Sequence, residues 1–123
     1  MALTLDEVRL HVDRHYAEPI TVEQLATLAA LSTYHFIRAF RTHCGQTPHQ
    51  YLRARRIERA KELLITTPLP VTDICDAVGF RSLGSFSSLF RRVTGETPAA
   101  FRAARRRSVR IPACFVRMYR ADR

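Results

Sequence analysis

The chain has 123 residues, enough for one domain with a modest hydrophobic core, and its 20 Lys and Arg residues against 11 Asp and Glu residues give a net charge of +9. A positive field of this size attracts polyanions, and arginine, which supplies all of these cations except Lys61, has a planar fork suited to phosphates and to guanine. No stretch approaches the roughly 20 apolar residues that span a bilayer, and residues 1–18 lack the layout of a signal peptide, so we expect a soluble, cytoplasmic protein with no membrane partner.

Two capping boxes open the first two predicted helices. Thr4 with Glu7 three residues later predicts the start of a helix over 5–16. Thr21 with Gln24 repeats the pattern before a second, shorter helix. Helical spacing gives that second helix an apolar inner stripe of Val22, Leu25 and Ala29.

A third helix and a long fourth helix follow. Ser32 is the predicted N-cap of the third helix, and Gly45 lies where a left-handed C-terminal cap is expected. Thr47 and Pro48 then predict the start of a helix over 48–66, which two prolines stop and which has Ile57, Ala60 and Leu64 on one face. At about 1.5 Å per residue this helix spans roughly 27 Å and is predicted to be a rigid strut.

The second half of the chain repeats the first. The segment 32–56, shifted by fifty residues, finds identical partners at Ser82, Phe86, Phe90, Arg91, Gly95, Thr97, Pro98, Ala104, Arg105 and Arg106. Upstream, 22–29 aligns with 71–78 at an offset of forty-nine, so the turn between the two blocks is one residue longer in the second copy. Each copy is predicted to form a helix, a tight turn and a helix, and no segment shows the two-residue alternation of a strand.

Helical arithmetic assigns the faces of the helix that follows each turn. The predicted core stripes are Phe36, Ala39, Phe40 and His43 in the first copy, and Phe86, Leu89, Phe90 and Val93 in the second. The opposite face carries Tyr34, Arg38 and Arg41 in the first copy, and Gly84, Ser88 and Arg91 in the second. A tyrosine and two arginines on one exposed face suit the DNA major groove, whereas the alternative is a solvated basic face that holds only phosphates. The duplication favours DNA binding.

Two runs of residues resemble the DNA-binding domain of the AraC/XylS family of bacterial transcription regulators. They are LxxxxxLSxxxFxRxFRxxxGxTPxxYLRxxRIxxAxxLL across 25–64 and IxxxVGFxSxxxFSxxFRRxxGxTPxxFR across 74–102. The resemblance implies an all-α fold of about seven helices within residues 1–107. Two helix-turn-helix subdomains, at about 21–45 and 71–95, would be joined by the linker helix 48–66. Residues 108–123 form a basic C-terminal tail for which we predict no structure or role.

The resemblance also implies how the fold meets DNA. Both recognition helices would enter successive major-groove segments on one face of the duplex, about 34 Å apart. The residues implied to contact bases are Thr33, Tyr34, Ile37, Arg38, Leu83, Gly84, Ser87 and Ser88. Contacts to the DNA backbone are predicted for Arg41, Thr47, Arg56, Arg81, Arg91, Arg92 and Thr97. The family usually carries larger polar side chains at several of the second set of base-contacting positions. We therefore expect the first unit to supply most base specificity and the second mostly phosphate contacts and shape.

No catalytic or metal-binding pattern is found in the sequence. His11 and His15 lie four residues apart on the first predicted helix, but no third ligand lies nearby. A nucleophile elbow, a glycine-rich phosphate loop and a pair of carboxylates placed for acid–base chemistry are missing. We therefore predict no enzyme, no cofactor and no metal.

The sequence predicts a transcription activator that binds promoter DNA as a monomer in the cytoplasm, at the nucleoid, and that contacts RNA polymerase. With Met1 and about twenty residues before the first unit, the chain resembles the short stand-alone members of the family, although a fragment of a longer regulator would have the same sequence. Two alternatives stay open. One is a protein-interaction module that recruits RNA polymerase without reading DNA, and the other is a non-specific nucleic-acid binder driven by charge alone.

Overall fold

The computed structural model describes residues 2–108, apart from the side chains of residues 107 and 108, so residues 109–123 of the predicted tail lie outside the described residues. Within that part of the chain every regular element is an α-helix, as the sequence predicted. The helices are α1 Leu5–His15, α2 Val22–Leu28, α3 Thr33–Cys44, α4 Pro48–Thr66, α5 Val71–Ala77, α6 Leu83–Thr94 and α7 Pro98–Ser108. None of these helices combines the length and the apolar character needed to cross a membrane.

The chain divides into two compact units within α4. The first unit extends over Met1–Glu58 and contains α1, α2, α3 and the first half of α4. The second unit begins at Arg59 and contains the rest of α4 with α5, α6 and α7. Each unit therefore has the same order of elements: a helix, the helix-turn-helix pair, and a helix that follows the pair.

Local capping chemistry explains where the helices begin. The Thr4 hydroxyl accepts from the Glu7 N–H at 3.2 Å while the Glu7 carboxylate accepts from the Thr4 N–H at 3.3 Å. Thr21 and Gln24 form the same reciprocal pair at 3.2 and 3.1 Å. Both predicted capping boxes are confirmed, and each satisfies two backbone donors that the helix itself leaves unpaired.

The helices that follow the turns have matching ends. Ser32 and Ser82 cap α3 and α6, each accepting at 3.2 Å from the N–H three residues later. Gly45 and Gly95 end those helices in the left-handed conformation, with φ of 78° and 83°. The turns occupy residues 29–32 and 78–82, so the predicted extra residue in the second turn is confirmed.

Aromatic residues from α3 and α6 form the centre of each core. In the first unit Phe36 and Phe40 are fully buried and lie with Val8, Val12, Leu25, Ala26, Ala29 and Leu52 in one cluster. In the second unit Phe86 contacts Phe80 and Phe90, and Phe90 contacts Phe101 edge to face with ring centroids 5.3 Å apart. Burial of each phenylalanine side chain stabilises the fold by roughly 1.5–3 kcal/mol. The predicted inner face of α4 is confirmed, because its three predicted residues are all buried.

The two predicted core stripes are wrong at their last positions. The His43 side chain is 44% exposed, and its Nε2 lies 2.8 Å from Oδ1 of Asp6 in α1. Val93, at the matching position of α6, is 54% exposed. Helical spacing predicts an inward-facing position in every turn of a helix, including the last one. Burial also requires another helix to be packed over that turn. Both residues lie in the last turn of their helix.

Candidate nucleic-acid interface

The outer face of α3 presents the residues predicted to contact bases in the first unit. Tyr34 is 64% exposed, and Arg38 is exposed one helical turn further along. Thr33 and Ile37 are half-buried on the flank of the same face. The Ser32 cap begins the helix immediately after the tight turn, so this face starts at the first helical residue.

Tyr34 and Arg38 are joined to each other. Nη1 of Arg38 donates to the Tyr34 hydroxyl at 3.0 Å, and the Arg38 guanidinium carbon lies 5.6 Å from the centre of the tyrosine ring. The Tyr34 ring also meets the His35 ring edge to face, with centroids 5.7 Å apart and ring planes 72° apart. Nδ1 of His35 lies 2.7 Å from the Ser32 hydroxyl. Sequence reasoning did not include His35 in the site, although its position three residues after the cap is the signal for this contact.

Open space adjoins this pair. A shallow groove of about 720 Å³ runs beside α3 and is lined by Leu5, Tyr34, His35, Arg38, Ala39, Thr42 and His43. The groove leaves both Tyr34 and Arg38 accessible to a ligand.

The outer face of α6 presents much smaller side chains. Leu83 is 44% exposed, Gly84 and Ser88 are exposed, and Ser87 is half-buried. A Cβ added at Gly84 would meet only the Ser82 hydroxyl, at an ordinary contact distance of 3.7 Å. The described part of the unit therefore leaves room for a Cβ at position 84.

Most of the residues predicted to contact the DNA backbone are accessible. The side chains of Arg41, Arg81, Arg91 and Arg92 are exposed. Thr47 caps α4, accepting from the Gln50 N–H at 3.2 Å while the Gln50 side chain accepts from the Thr47 N–H at 3.0 Å. Thr97 accepts from the Ala100 N–H at 3.2 Å at the start of α7. Exposed N–H groups and the helix dipole make such helix starts favourable places for a phosphate.

Arg56 has a different role in the structure. Its Nε donates to the Tyr16 carbonyl at 2.6 Å and its Nη2 to the Glu18 carbonyl at 2.9 Å, just past the end of α1. Burial lowers the pKa of this guanidinium. At the matching position of the second unit, Arg106 donates to the Thr67 carbonyl just past the end of α4. Both arginines thus hold the end of a preceding helix, and the contact of Arg56 with the DNA backbone stays a prediction.

The histidine pair on α1 lacks the partners of a metal site. The rings of His11 and His15 stack with centroids 4.5 Å apart, and His15 also pairs with Glu18. Among the described residues, no group of three or more His, Cys, Asp or Glu side chains is placed to hold a metal ion.

Comparison with known proteins gives consistent matches over most of the chain. A family model described as a helix-turn-helix domain matches residues 25–104. The regulatory protein SoxS of Salmonella typhimurium (strain LT2) is 35% identical over 91 residues, which are 74% of this chain and 85% of SoxS. The chain spans only 33–46% of the length of four other curated relatives.

Two solved structures also match most of this chain. The DNA-binding domain of AdpA, a global transcriptional factor crystallised in complex with a target DNA, is 38% identical, with a TM-score of 0.82 over 85% of this chain and 94% of that chain. A structure described as a probable AraC family transcriptional regulator from Rhodopseudomonas palustris is 29% identical, with a TM-score of 0.74 over 83% of this chain and 96% of that chain.

Proposed function

The chain belongs to the AraC family of helix-turn-helix domains, and we propose that it is a sequence-specific DNA-binding transcription regulator that activates transcription. The observation that carries this proposal is the exposed outer face of α3. Tyr34 and Arg38 are accessible on this face, and the helix begins directly after the tight turn. The relative AdpA, whose DNA-binding domain was crystallised with a target DNA, supports DNA as the ligand.

In the first unit, α3 lies in a major groove. Arg38 donates two parallel N–H groups to O6 and N7 of a guanine, which no other base accepts in the same geometry. Thr33 and Ile37 supply methyl groups at the flank, where a thymine methyl is the natural contact. Arg41, exposed one turn before the end of α3, pairs with a phosphate.

In the second unit, α6 lies in the adjacent major-groove segment. Leu83 contacts a thymine methyl, while Gly84, Ser87 and Ser88 allow a close approach with water-mediated or direct hydroxyl contacts. Arg81, Arg91 and Arg92 pair with phosphates. Thr47 and Thr97, at the starts of α4 and α7, contribute helix N-termini to the same backbone.

We assign this role to residues 1–107, with the helix-turn-helix units at about 21–45 and 71–95 and the linker at 48–66. One chain supplies two recognition helices, so a monomer suffices to read two segments about one helical turn apart. The domain works in the cytoplasm at the nucleoid, recruits RNA polymerase and catalyses no reaction. The relative RhaS of Enterobacter sp. is named as an HTH-type transcriptional activator and SoxS as a regulatory protein, which supports this assignment.

Selection of bound sequences from a random duplex pool tests the proposal. We expect two conserved segments about 10–10.5 base pairs apart, with the higher information content in the segment bound by α3. The selected duplex should bind at least about a thousandfold more tightly than random DNA. Its affinity should fall by roughly a thousandfold or more between 50 and 200 mM salt, because phosphate contacts release counterions.

Each rival function predicts a different result. A non-specific binder driven by charge shows the same salt dependence but no enrichment of any sequence. A module that only recruits RNA polymerase shows neither enrichment nor salt-dependent duplex binding. Either result would contradict sequence-specific DNA binding.

A further inference from the structure

We propose that Tyr34 and Arg38 act as one base-reading unit, in which Tyr34 positions the Arg38 guanidinium for two parallel hydrogen bonds to a guanine. This inference rests on the proposed function and specifies how the first unit obtains its base preference. Tyr34 is thereby a positioning residue for Arg38 as well as a part of the contact surface.

The hydrogen bond between the two side chains leaves the donors that guanine needs. A guanidinium carries five N–H donors in a fixed plane, and the Tyr34 hydroxyl takes one of them, on Nη1 of Arg38, at 3.0 Å. The remaining donors, on Nε, on Nη2 and the second one on Nη1, still offer a parallel pair for O6 and N7.

The tyrosine is itself held in place. Arg38 lies over its ring at 5.6 Å, the His35 ring packs edge-on at 5.7 Å, and the Ser32 hydroxyl holds His35 at 2.7 Å. A chain of contacts therefore runs from the N-cap of α3 through His35 and Tyr34 to Arg38. None of these four side chains is buried, so the arrangement serves no packing purpose in the core.

An Arg38 side chain that is ordered before DNA binds raises affinity, because less conformational entropy is lost on binding. An arginine side chain is long and has many rotamers, and ordering one such side chain at an interface lowers affinity by roughly 2- to 10-fold. A guanidinium fixed in one plane also discriminates more sharply between bases. Adenine presents one acceptor and one donor where guanine presents two acceptors, so a fixed pair of donors cannot adapt to it.

The matching positions of the second unit lack three of the four side chains in this arrangement. Gly84 occupies the place of Tyr34, Ser85 that of His35 and Ser88 that of Arg38. The cap, Ser82, is retained. The set is present together in α3 and absent together in α6, which is consistent with one function for the set.

Tyr34→Phe tests the proposal because it removes the hydroxyl and keeps the ring. The probes are the duplex that the unaltered chain selects from a random pool, and a second duplex in which adenine replaces the guanine whose preference depends on Arg38. Arg38→Ala identifies that guanine and should lower affinity for the selected duplex by about 5- to 150-fold. Tyr34→Phe should lower affinity for the selected duplex by roughly 2- to 10-fold and reduce the preference for guanine over adenine, with the same melting temperature.

A double-mutant cycle and a control complete the test. In the Arg38→Ala background, Tyr34→Phe should have no further effect on either duplex, because the hydroxyl then has no guanidinium to hold. Leu10→Ala, on an exposed position of α1 in the same unit, should leave the guanine preference unchanged.

Several results would overturn the inference. Unchanged guanine preference in Tyr34→Phe, with or without a lower melting temperature, means that the pair is only a surface contact within the helix. An equal loss in the presence and absence of Arg38 means that Tyr34 contacts DNA independently. If Arg38→Ala keeps the full guanine preference, Arg38 does not contact a guanine. Failure of the unaltered chain to select any sequence would instead contradict the proposed function.

Discussion

The helices α3 and α6 share their frame and differ on their outer face. Both begin at a serine cap, end at a left-handed glycine and bury two phenylalanines one turn apart. The outer positions that carry Tyr34 and Arg38 in α3 carry Gly84 and Ser88 in α6. The core and the caps, which the fold needs, thus match between the two copies, while the exposed face, which a ligand meets, does not.

This difference separates two ways of approaching a duplex. In the proposed function, long side chains on α3 bridge the distance to base edges and carry directional donors, so they give base specificity. A helix face with glycine and serine has short side chains, so it gains base contacts by bringing its main chain close or through bridging water. The first unit is therefore suited to direct reading of bases, and the second to shape and phosphate contacts.

The largest expected contrast is between Arg38→Ala and Ser88→Ala. Loss of a bidentate arginine contact to guanine should lower affinity for the selected duplex by about 1–3 kcal/mol and relax base preference at that position. Loss of the short Ser88 hydroxyl should change affinity by less than about 0.5 kcal/mol. Titration of both variants with the selected duplex and its single-base variants measures this contrast. Equal losses would show that both helices read bases with equal weight.

A second contrast lies beneath the recognition helices, where Tyr51 occupies the place of Phe101. Both rings pack edge to face on a core phenylalanine, but the Tyr51 hydroxyl also donates to Oδ1 of Asp13 at 2.6 Å. Tyr51→Phe makes the first unit resemble the second and removes a half-buried bond to a carboxylate. We expect the free energy of unfolding to fall by about 1 kcal/mol, measured by urea unfolding at pH 7.

The pH dependence of that loss tests whether the pKa of Tyr51 is raised in the folded chain. Burial, and then the hydrogen bond to Asp13, raise the pKa of Tyr51 to about 12. A raised pKa means that the protonated phenol is the stabilised form. Its contribution is full below the unfolded value of about 10 and is lost as the pH rises towards 12. The difference between the unaltered chain and Tyr51→Phe should therefore be constant from pH 7 to 9 and shrink above pH 10. A constant difference at all pH values would argue against the bond to Asp13.

Local chemistry made much of the fold predictable from sequence. A cap such as Ser32 or a capping box such as Thr21 with Gln24 involves residues three apart, so its residue types are visible in one short window. The repeat is visible because serine, glycine and aromatic positions recur in order. Burial at His43 and Val93 was predicted wrongly, because it depends on which element covers the end of the helix.

The site was predictable in position but not in its internal contacts. Spacing alone places Tyr34 and Arg38 one turn apart on an exposed face, and that spacing also permits the hydrogen bond between them. Arg56 was predicted to contact the DNA backbone, and the structure adds a role for it in holding the end of α1. Its partners, the carbonyls of Tyr16 and Glu18, lie about forty residues earlier in the chain, where no local pattern connects them.

Gly84→Ala tests whether α6 approaches DNA through its main chain. Glycine in the interior of a helix costs about 0.5–1 kcal/mol relative to alanine, and an added Cβ at Gly84, the second residue of α6, would meet nothing closer than 3.7 Å. Because the first turn is less constrained than the interior, the variant should raise the free energy of unfolding by up to about 0.5 kcal/mol. If the duplex lies against this residue, the same methyl group should weaken binding several-fold, so stability and affinity change in opposite directions. A variant that is more stable and binds equally well would show that α6 does not make a close approach at this point.

The smallest contrast concerns the two tight turns, where Ala30 occupies the place of Gly79. Both residues have left-handed backbone, with φ of 55° and 98°. For alanine this conformation costs roughly 1–2 kcal/mol, partly offset because alanine has less freedom than glycine to lose on folding. Ala30→Gly should therefore raise the free energy of unfolding by about 0.5 kcal/mol, and Gly79→Ala should lower it by a similar amount, both measured by urea unfolding. Neither residue lies on the outer face of a recognition helix, so affinity for the selected duplex should be unchanged in both variants. A shift of base preference in Ala30→Gly would show that the strained turn itself sets the angle at which α3 meets DNA. The two units would then differ in the backbone of their turns as well as in the outer faces of their recognition helices.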